Sequence, residues 1–337
     1  MKRMEPNNRS VSALSGLPTV PSMLKDMIFA LCVLLVLPAV HYGARPLAAA
    51  GTAVAAALVS EVLFSLFQKR SAALTEPSSV VTGLVVAMLL PVNAPLWLPA
   101  AAAAFAVLVA KGPFGFFGRT PFNPAAAGVA FAVLCWPSEG FTYFDPSEPY
   151  SLPAFGPCVF TAAKSPAAVL KEGLKPDVLP LNMIWGGGVG PLGTTAALVI
   201  GACFLFLLIR RDAKWETTVC FLLAAALIAA LFPRIACSPL TSVKYELLSG
   251  SLFFCSVFMV TDPVTSPHTF PARCLYGAFA GAMTMAFRRF GAFEQGAVFA
   301  VLLANAAAPM LESAVFGLRR GKGRKNVTAA AKGWPSE

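Results

Sequence analysis

Apolar residues fall in long runs separated by short polar connectors. The runs extend approximately from Met27 to Val40, Pro46 to Phe67, Ser79 to Leu90, Leu96 to Ala110, Asn123 to Cys135, Thr194 to Ile209, Thr217 to Phe232, Leu247 to Val260, Cys274 to Phe287 and Ala297 to Leu311. Half of them precede, and half follow, one long polar and aromatic stretch. Lipid offers a backbone no hydrogen-bond partner, so each run must pair its own N–H and C=O groups, and these runs are far longer than barrel strands. The pattern predicts an all-α polytopic membrane protein of about ten transmembrane helices, five plus five in a repeat with discontinuous helices.

Several runs fall short of the roughly 20 residues that a straight span needs, notably those ending at Leu90, Cys135 and Val260. They border Pro91, the Pro121–Pro124 stretch and Pro263, so each must be extended by its flanks or broken within the membrane. VVTGLVVAMLLPV (Val80 to Val92) and LLSGSLFFCSVFMVTDPV (Leu247 to Val264) echo each other, each opening with a small-residue pair before an apolar run that ends near proline. Inverted repeats of this kind place a site at their interface. The chain divides into an N-terminal segment (residues 1–22), a membrane domain (23–312) and a basic tail (313–337). Within the membrane domain, halves 23–135 and 194–312 flank an outer loop, 136–193, too long to be a mere connector.

Composition supports the lipid bilayer as solvent. The chain is 57% hydrophobic and 12% charged with a mean hydropathy of +0.70, where a soluble domain carries about a quarter charged residues. The net charge of +10 sits in short clusters between apolar runs without interleaved aromatic platforms, which argues against nucleic acid as a partner. Topology accounts for it better: with the N-terminus inside, most Lys and Arg lie on the cytoplasmic side and both termini are cytoplasmic. Arg288 and Arg289 fall on the wrong side of that count and put the helix boundary there in question. The eight cysteines form no CxxC pair and only His41 and His268 are present, so iron–sulfur, disulfide-framework and bis-histidine haem readings are disfavoured. No small-residue cleavage site follows the first run, which reads as a retained helix and not a signal peptide.

Two motifs carry candidate chemistry. FGRTPFNPAAAGVAF (Phe117 to Phe131) has Asn123 as a helix cap, Pro124 at the first helical position, and small residues that admit a close neighbour; helix initiation and a cofactor contact fit it equally. TDPVTSP (Thr261 to Pro267) puts Asp262 at or near membrane depth, where an ionisable group costs at least about 2.5 kcal/mol unless paired or solvated. Glu61, inside LVSEVLFSLF, is the other buried carboxylate and must face the bundle. GGGVGPLGTT (Gly186 to Thr195) lacks the Lys-Ser/Thr ending of a P-loop and reads as a flexible entry to the sixth helix. The aromatic stretch Trp136 to Phe155 reads as an interfacial anchor or docking surface.

GRTPFNPAAAG, SSVVTGLVVAMLLP (Ser78 to Pro91), SGSLFFCSVFMVTDPVTSP (Ser249 to Pro267) and RRFGAFEQGAVFAVLLANAAAP (Arg288 to Pro309) resemble, in order, the NqrB/RnfD family, whose members are membrane components of the sodium-pumping NADH:quinone oxidoreductase and of the Rnf electron-transport complex. The resemblance covers most of Ser78 to Glu312. It implies a non-autonomous subunit of a redox-driven translocase in a bacterial inner membrane, working with other membrane and peripheral subunits. Electrons would pass through bound flavin, coupled to Na+ or H+ movement. In that family a flavin transferase joins FMN by a phosphoester to a threonine in an SGATP-like segment. The matching segment here is AAKSPAAVLKEG (Ala162 to Gly173), with Ser165 at the attachment position and Lys164 next to it to pair with the phosphate. The family's Ser-Gly-Ala is replaced by Ala162, Ala163 and Lys164, and Val159 stands where an acidic residue is usual. Cofactor contacts are thus expected at Ser165, Lys164, Thr161 and Asn123, ion handling at Asp262 and Glu61, and a second, noncovalent flavin such as riboflavin fits the same picture. A secondary transporter is the competing class on physical grounds, and a flavin-free scaffold of the same complex is a third reading.

Overall fold

The structure is a computed structural model, and it describes residues 20–68, 77–114, 120–144, 153–156, 162–294 and 296–332. It is mostly helical, and every apolar run carries a helix. In the first half these are α1 (Val20–Tyr42), α2 (Arg45–Phe67), α3 (Ser78–Leu89), α4 (Trp97–Phe105, continued by a wider turn over Ala106–Lys111) and α5 (Pro124–Cys135). The central loop holds α6 (Pro137–Phe141), a two-residue ribbon of β1 (Tyr143–Phe144) and β2 (Ala162–Ala163), α7 (Pro166–Lys171) and α8 (Pro180–Trp185). The second half is α9 (Ala197–Ile209), α10 (Trp215–Leu231), α11 (Pro239–Leu248), α12 (Leu252–Phe258), α13 (Phe270–Phe290) and α14 (Ala297–Lys332). Among the described residues, four helices are long and apolar enough to cross a membrane by themselves: Val20–Tyr42, Arg45–Phe67, Trp97–Phe114 and Ala297–Gly317. Several others are apolar but short, and the protein is an all-α polytopic membrane protein.

α3 ends just before Pro91, α5 begins at Pro124 and α12 ends before Pro263. α3 stops at Leu89, leaving the carbonyls of its last turn without helical partners. The glycine-rich segment supplies them: Gly193 N–H donates to Met88 O (2.7 Å) and Leu192 N–H to Leu90 O (3.0 Å). A β-carbon on Gly193 would lie 2.6 Å from Met88 Cβ, so glycine is what lets this strand of loop reach the broken end. The segment read as a flexible entry is therefore a plug for the gap in α3.

In the second half Ser249–Ser251, near the start of the eighth run, separate α11, most of which precedes that run, from α12. Here the plug is a cation. Arg288 is fully buried and its guanidinium donates to Glu246 O (2.7 Å) and Ser249 O (2.6 Å), two carbonyls at the broken end of α11. The carboxylate of Glu246 neutralises it at 3.1 Å and also pairs with Arg234 at 2.5 Å. Arg234 in turn donates to Arg288 O. A positive group at a helix C-terminus meets the negative end of the dipole, and a desolvated Arg survives only with such partners. The expected boundary at Phe287 is thus corrected: α13 runs on through Arg288 and Arg289. The reason is that Arg288 serves the interior of the bundle, so its placement does not follow the rule for charges in water-exposed loops.

Small residues bring the helices close enough for these bonds. In α13, β-carbons on Gly277 and Gly281 would each stand 2.3 Å from a carbonyl of α10, those of Thr217 and Phe221. This is a small-xxx-small crossing. A β-carbon on Gly83 in α3 would lie 2.7 Å from Val54 Cα in α2, and one on Gly128 in α5 would lie 2.4 Å from Ala102 O in α4. Arg45, buried at the start of α2, ties the same end together by donating to Ala94 O and Gly156 O. Replacing Gly277 by Val should force α10 and α13 apart and cost about 1–3 kcal/mol or more, read as a fall in the melting temperature of the detergent-solubilised protein. Gly51→Ala, where a β-carbon meets nothing within 4 Å, should leave the melting temperature unchanged or slightly higher.

Candidate functional site

The starts of α1, α3 and α5, the end of α12 and the turn between α9 and α10 meet around one cavity. Its volume is about 100 Å³. Met23 and Met27 of α1, Val81, Val85 and Phe258 form apolar walls. Polar groups come from Ser78 and Thr82 of α3, Thr120 and Asn123 before α5, Asp212 between α9 and α10, and Thr261 and Asp262 after α12. Both halves of the chain therefore contribute.

Asn123 caps α5, its Oδ1 accepting from Ala126 N–H at 3.2 Å, with Pro124 in the first helical position. Its backbone N–H is within 2.8 Å of the Asn305 side chain of α14, which accepts it once its amide is oriented to donate to Tyr276 Oη and Val301 O. Helix initiation and a cavity wall are thus combined in one residue. Asp262 accepts from Val264 N–H (3.2 Å) and Thr265 Oγ1 (3.1 Å), which fixes the turn after α12 while its carboxylate borders the cavity. Glu61 faces the bundle, as its place in an apolar run demands, and lies 3.4 Å from the ammonium of Lys111. That ammonium is buried and also donates to Ser78 Oγ (2.7 Å) and Ser79 Oγ (2.6 Å) at the start of α3. Lys111 lines the cavity too, so Glu61 reaches the site through its partner.

The other expected residues are elsewhere. Ser165 and Lys164 lie in the central loop, at the end of the bundle that carries the α13–α14 turn. Ser165 is buried and caps α7, accepting from Ala168 N–H at 3.1 Å and donating to Glu294 Oε2 at 2.8 Å. Lys164 is exposed and pairs with Glu172 at 2.7 Å, and Lys171 donates to Ala292 O. Thr161 lies outside the described residues. The structure brings Asn123 and Asp262 together around the cavity, with Glu61 joined to it through Lys111, and leaves Ser165 with Lys164 as a separate cluster.

Sequence reasoning missed Lys111, Asp212 and Glu294. Lys111 and Asp212 were legible only as charges at the ends of apolar runs, a position that topology already explained. Asp212 has both carboxylate oxygens buried without a donor. Burial first, and then the neighbouring Asp26 carboxylate, push its pKa up to about 6.

With this geometry in place, comparison with known proteins is decisive. The sequence profile described as the NQR2, RnfD, RnfE family matches residues 12–317. The chain belongs to this family. Curated relatives from Salmonella dublin, Salmonella typhi and Salmonella newport (strain SL254) are each named as a subunit of an ion-translocating oxidoreductase complex. Each is 31% identical over 304 residues, covering 79% of this chain and 85% of the relative. The match spans both halves, so the cavity between them lies wholly within the family region.

Lys111→Met should strand the Glu61 carboxylate and cost about 3–5 kcal/mol. Adding Glu61→Gln to that variant should restore most of the loss, as a double-mutant cycle of melting temperatures would show; equal losses in single and double variants would contradict the pairing.

Proposed function

We propose that this chain is a membrane subunit of an ion-translocating oxidoreductase complex and passes electrons through bound flavin while the complex moves Na+ or H+. The observation that carries the reading is family membership over nearly the whole chain, joined to a cavity built by the family-like motifs of both halves. The same membership and the bacterial relatives support an inner-membrane location among other membrane and peripheral subunits.

The cavity suits a second, noncovalent flavin. Its apolar walls at Met27, Val85 and Phe258 suit a planar ring, and Thr82, Thr120 and Asn123 offer convergent hydrogen-bonding groups. A bound flavin would supply the redox chemistry, while these residues orient it, exclude water and set its surroundings. Asp262 on the cavity wall and Glu61 beside Lys111 are the carboxylates proposed to handle the ion.

Covalent FMN at Ser165 asks more of the protein. The hydroxyl is buried and already both donates and accepts. A phosphoester would remove the proton that Glu294 receives and set a negative group against that carboxylate. Attachment by a flavin transferase therefore requires α7 to separate from the turn carrying Glu294, with Lys164 and Lys171 the nearby cations for the phosphate.

Protein purified from cells that express a flavin transferase should be coloured. A peptide containing Ser165 should carry the mass of FMN, lost in Ser165→Ala. Flavin released on denaturation should report the cavity and should disappear in Val85→Phe, which fills it. Colourless protein from such cells would favour a solute permease. Full electron transfer by a complex lacking this chain's flavin would leave only the scaffold reading.

A further inference from the structure

The turn between α9 and α10 places a carboxylate where the rest of the fold gives it nothing to bind. Asp212 is 7% exposed, borders the cavity, and has neither carboxylate oxygen within reach of a donor. The carboxylate of Asp26 on α1 is its neighbour and acts on it as a like charge, with no proton to offer when ionised. Arg210 is hydrogen-bonded to Asp26, its Nε 2.8 Å from Oδ2, and reaches Asp212 only through its favourable field. Lys214 contributes only a favourable field, and across the cavity the charged groups are Asp262, held by Val264 and Thr265, and Lys111, held by Ser78, Ser79 and Glu61. Two adjacent carboxylates in a partly desolvated place cannot both remain ionised without a positive charge between them.

We propose that Asp212 and Asp26 form a binding site for a single positive charge, a proton or a monovalent cation, at the mouth of the cavity. Asp212 lines the same cavity as Asp262, and Asp26, outside that lining, is held by Arg210. The use of this site in transport rests on the ion-translocating reading above, whereas the binding itself does not. When the charge is a proton, one carboxyl O–H donates to the other carboxylate, no bond to carbon changes, and the proton exchanges with solvent on the Arg210 side. The raised pKa of Asp212 agrees with this occupancy.

The sign of the pH effect is fixed. A carboxyl whose pKa is higher in the folded protein than in the unfolded chain makes the folded state bind more protons between about pH 4 and about pH 6, so stability falls as pH rises through that window. The test is the melting temperature of the purified full chain in detergent between about pH 5 and about pH 8, in choline chloride and in sodium chloride. For a proton site, the wild type should lose several degrees on going to the higher pH in both salts, and Asp212→Asn should flatten the profile. For a cation site, sodium but not choline should restore the loss at the higher pH, and Asp212→Asn should abolish the difference between salts. Infrared spectra should show the protonated-carboxyl band in the first case, absent from Asp212→Asn. Asp26→Asn should reproduce either result. Identical pH and salt profiles in wild type and Asp212→Asn would overturn the proposal. Because the readout is stability, a colourless preparation that still shows these profiles would refute the flavin reading and leave this site standing.

Discussion

Pairing of backbone groups within the bundle is the constraint on which the rest of this structure depends. A helix that stops inside an apolar bundle exposes backbone groups that neither water nor lipid can satisfy, and two such ends here are met by groups from distant parts of the chain and one by a neighbouring cap. The backbone of Leu192 and Gly193 closes the end of α3. The guanidinium of Arg288 closes the end of α11. Asn123 caps the start of α5. The first two closures tie residues far apart in sequence, one joining the central loop to the first half and the other joining α13 to the end of α11 within the second half.

These closures position the cavity. Once α3 and α12 are held as short helices, their starts and ends fall beside the start of α5 and the α9–α10 turn, and small residues at the crossings bring the backbones close. The polar groups left over around the cavity are those not consumed in closing a break: Thr82, Thr120, Thr261, and the carboxylates of Asp262 and Asp212. The ion pairs sort by the same logic. Arg234, Glu246 and Arg288 are absorbed in holding α11, and Lys111 with Glu61 anchors the start of α3, whereas Asp212 has no structural duty that its neighbours fulfil. Ser165 belongs to a different neighbourhood, governed by the packing of α7 on the α13–α14 turn, so cofactor attachment there and ligand binding in the cavity are separate events at separate ends of the bundle.

The periodicity of apolar runs was enough to determine that this is a helical membrane protein with runs that stop near Pro91 and Pro263, because hydrophobic length and proline are read directly from residue type, whereas the break at Ser249–Ser251, which no proline marks, was not legible. Asn123 as a cap and Glu61 as an inward-facing carboxylate were legible for the same reason: each follows from the energetics of its own segment. The partner of each buried charge was not legible. Glu61 is 50 residues from Lys111, Arg288 is 42 from Glu246 and Ser165 is 129 from Glu294. No local pattern specifies which of several cations or acids will meet. The tertiary structure decided these pairings, turned a glycine-rich segment from an entry loop into a plug, and made Arg288 an interior residue, because desolvation makes an unpaired group costly only once the packing around it is fixed.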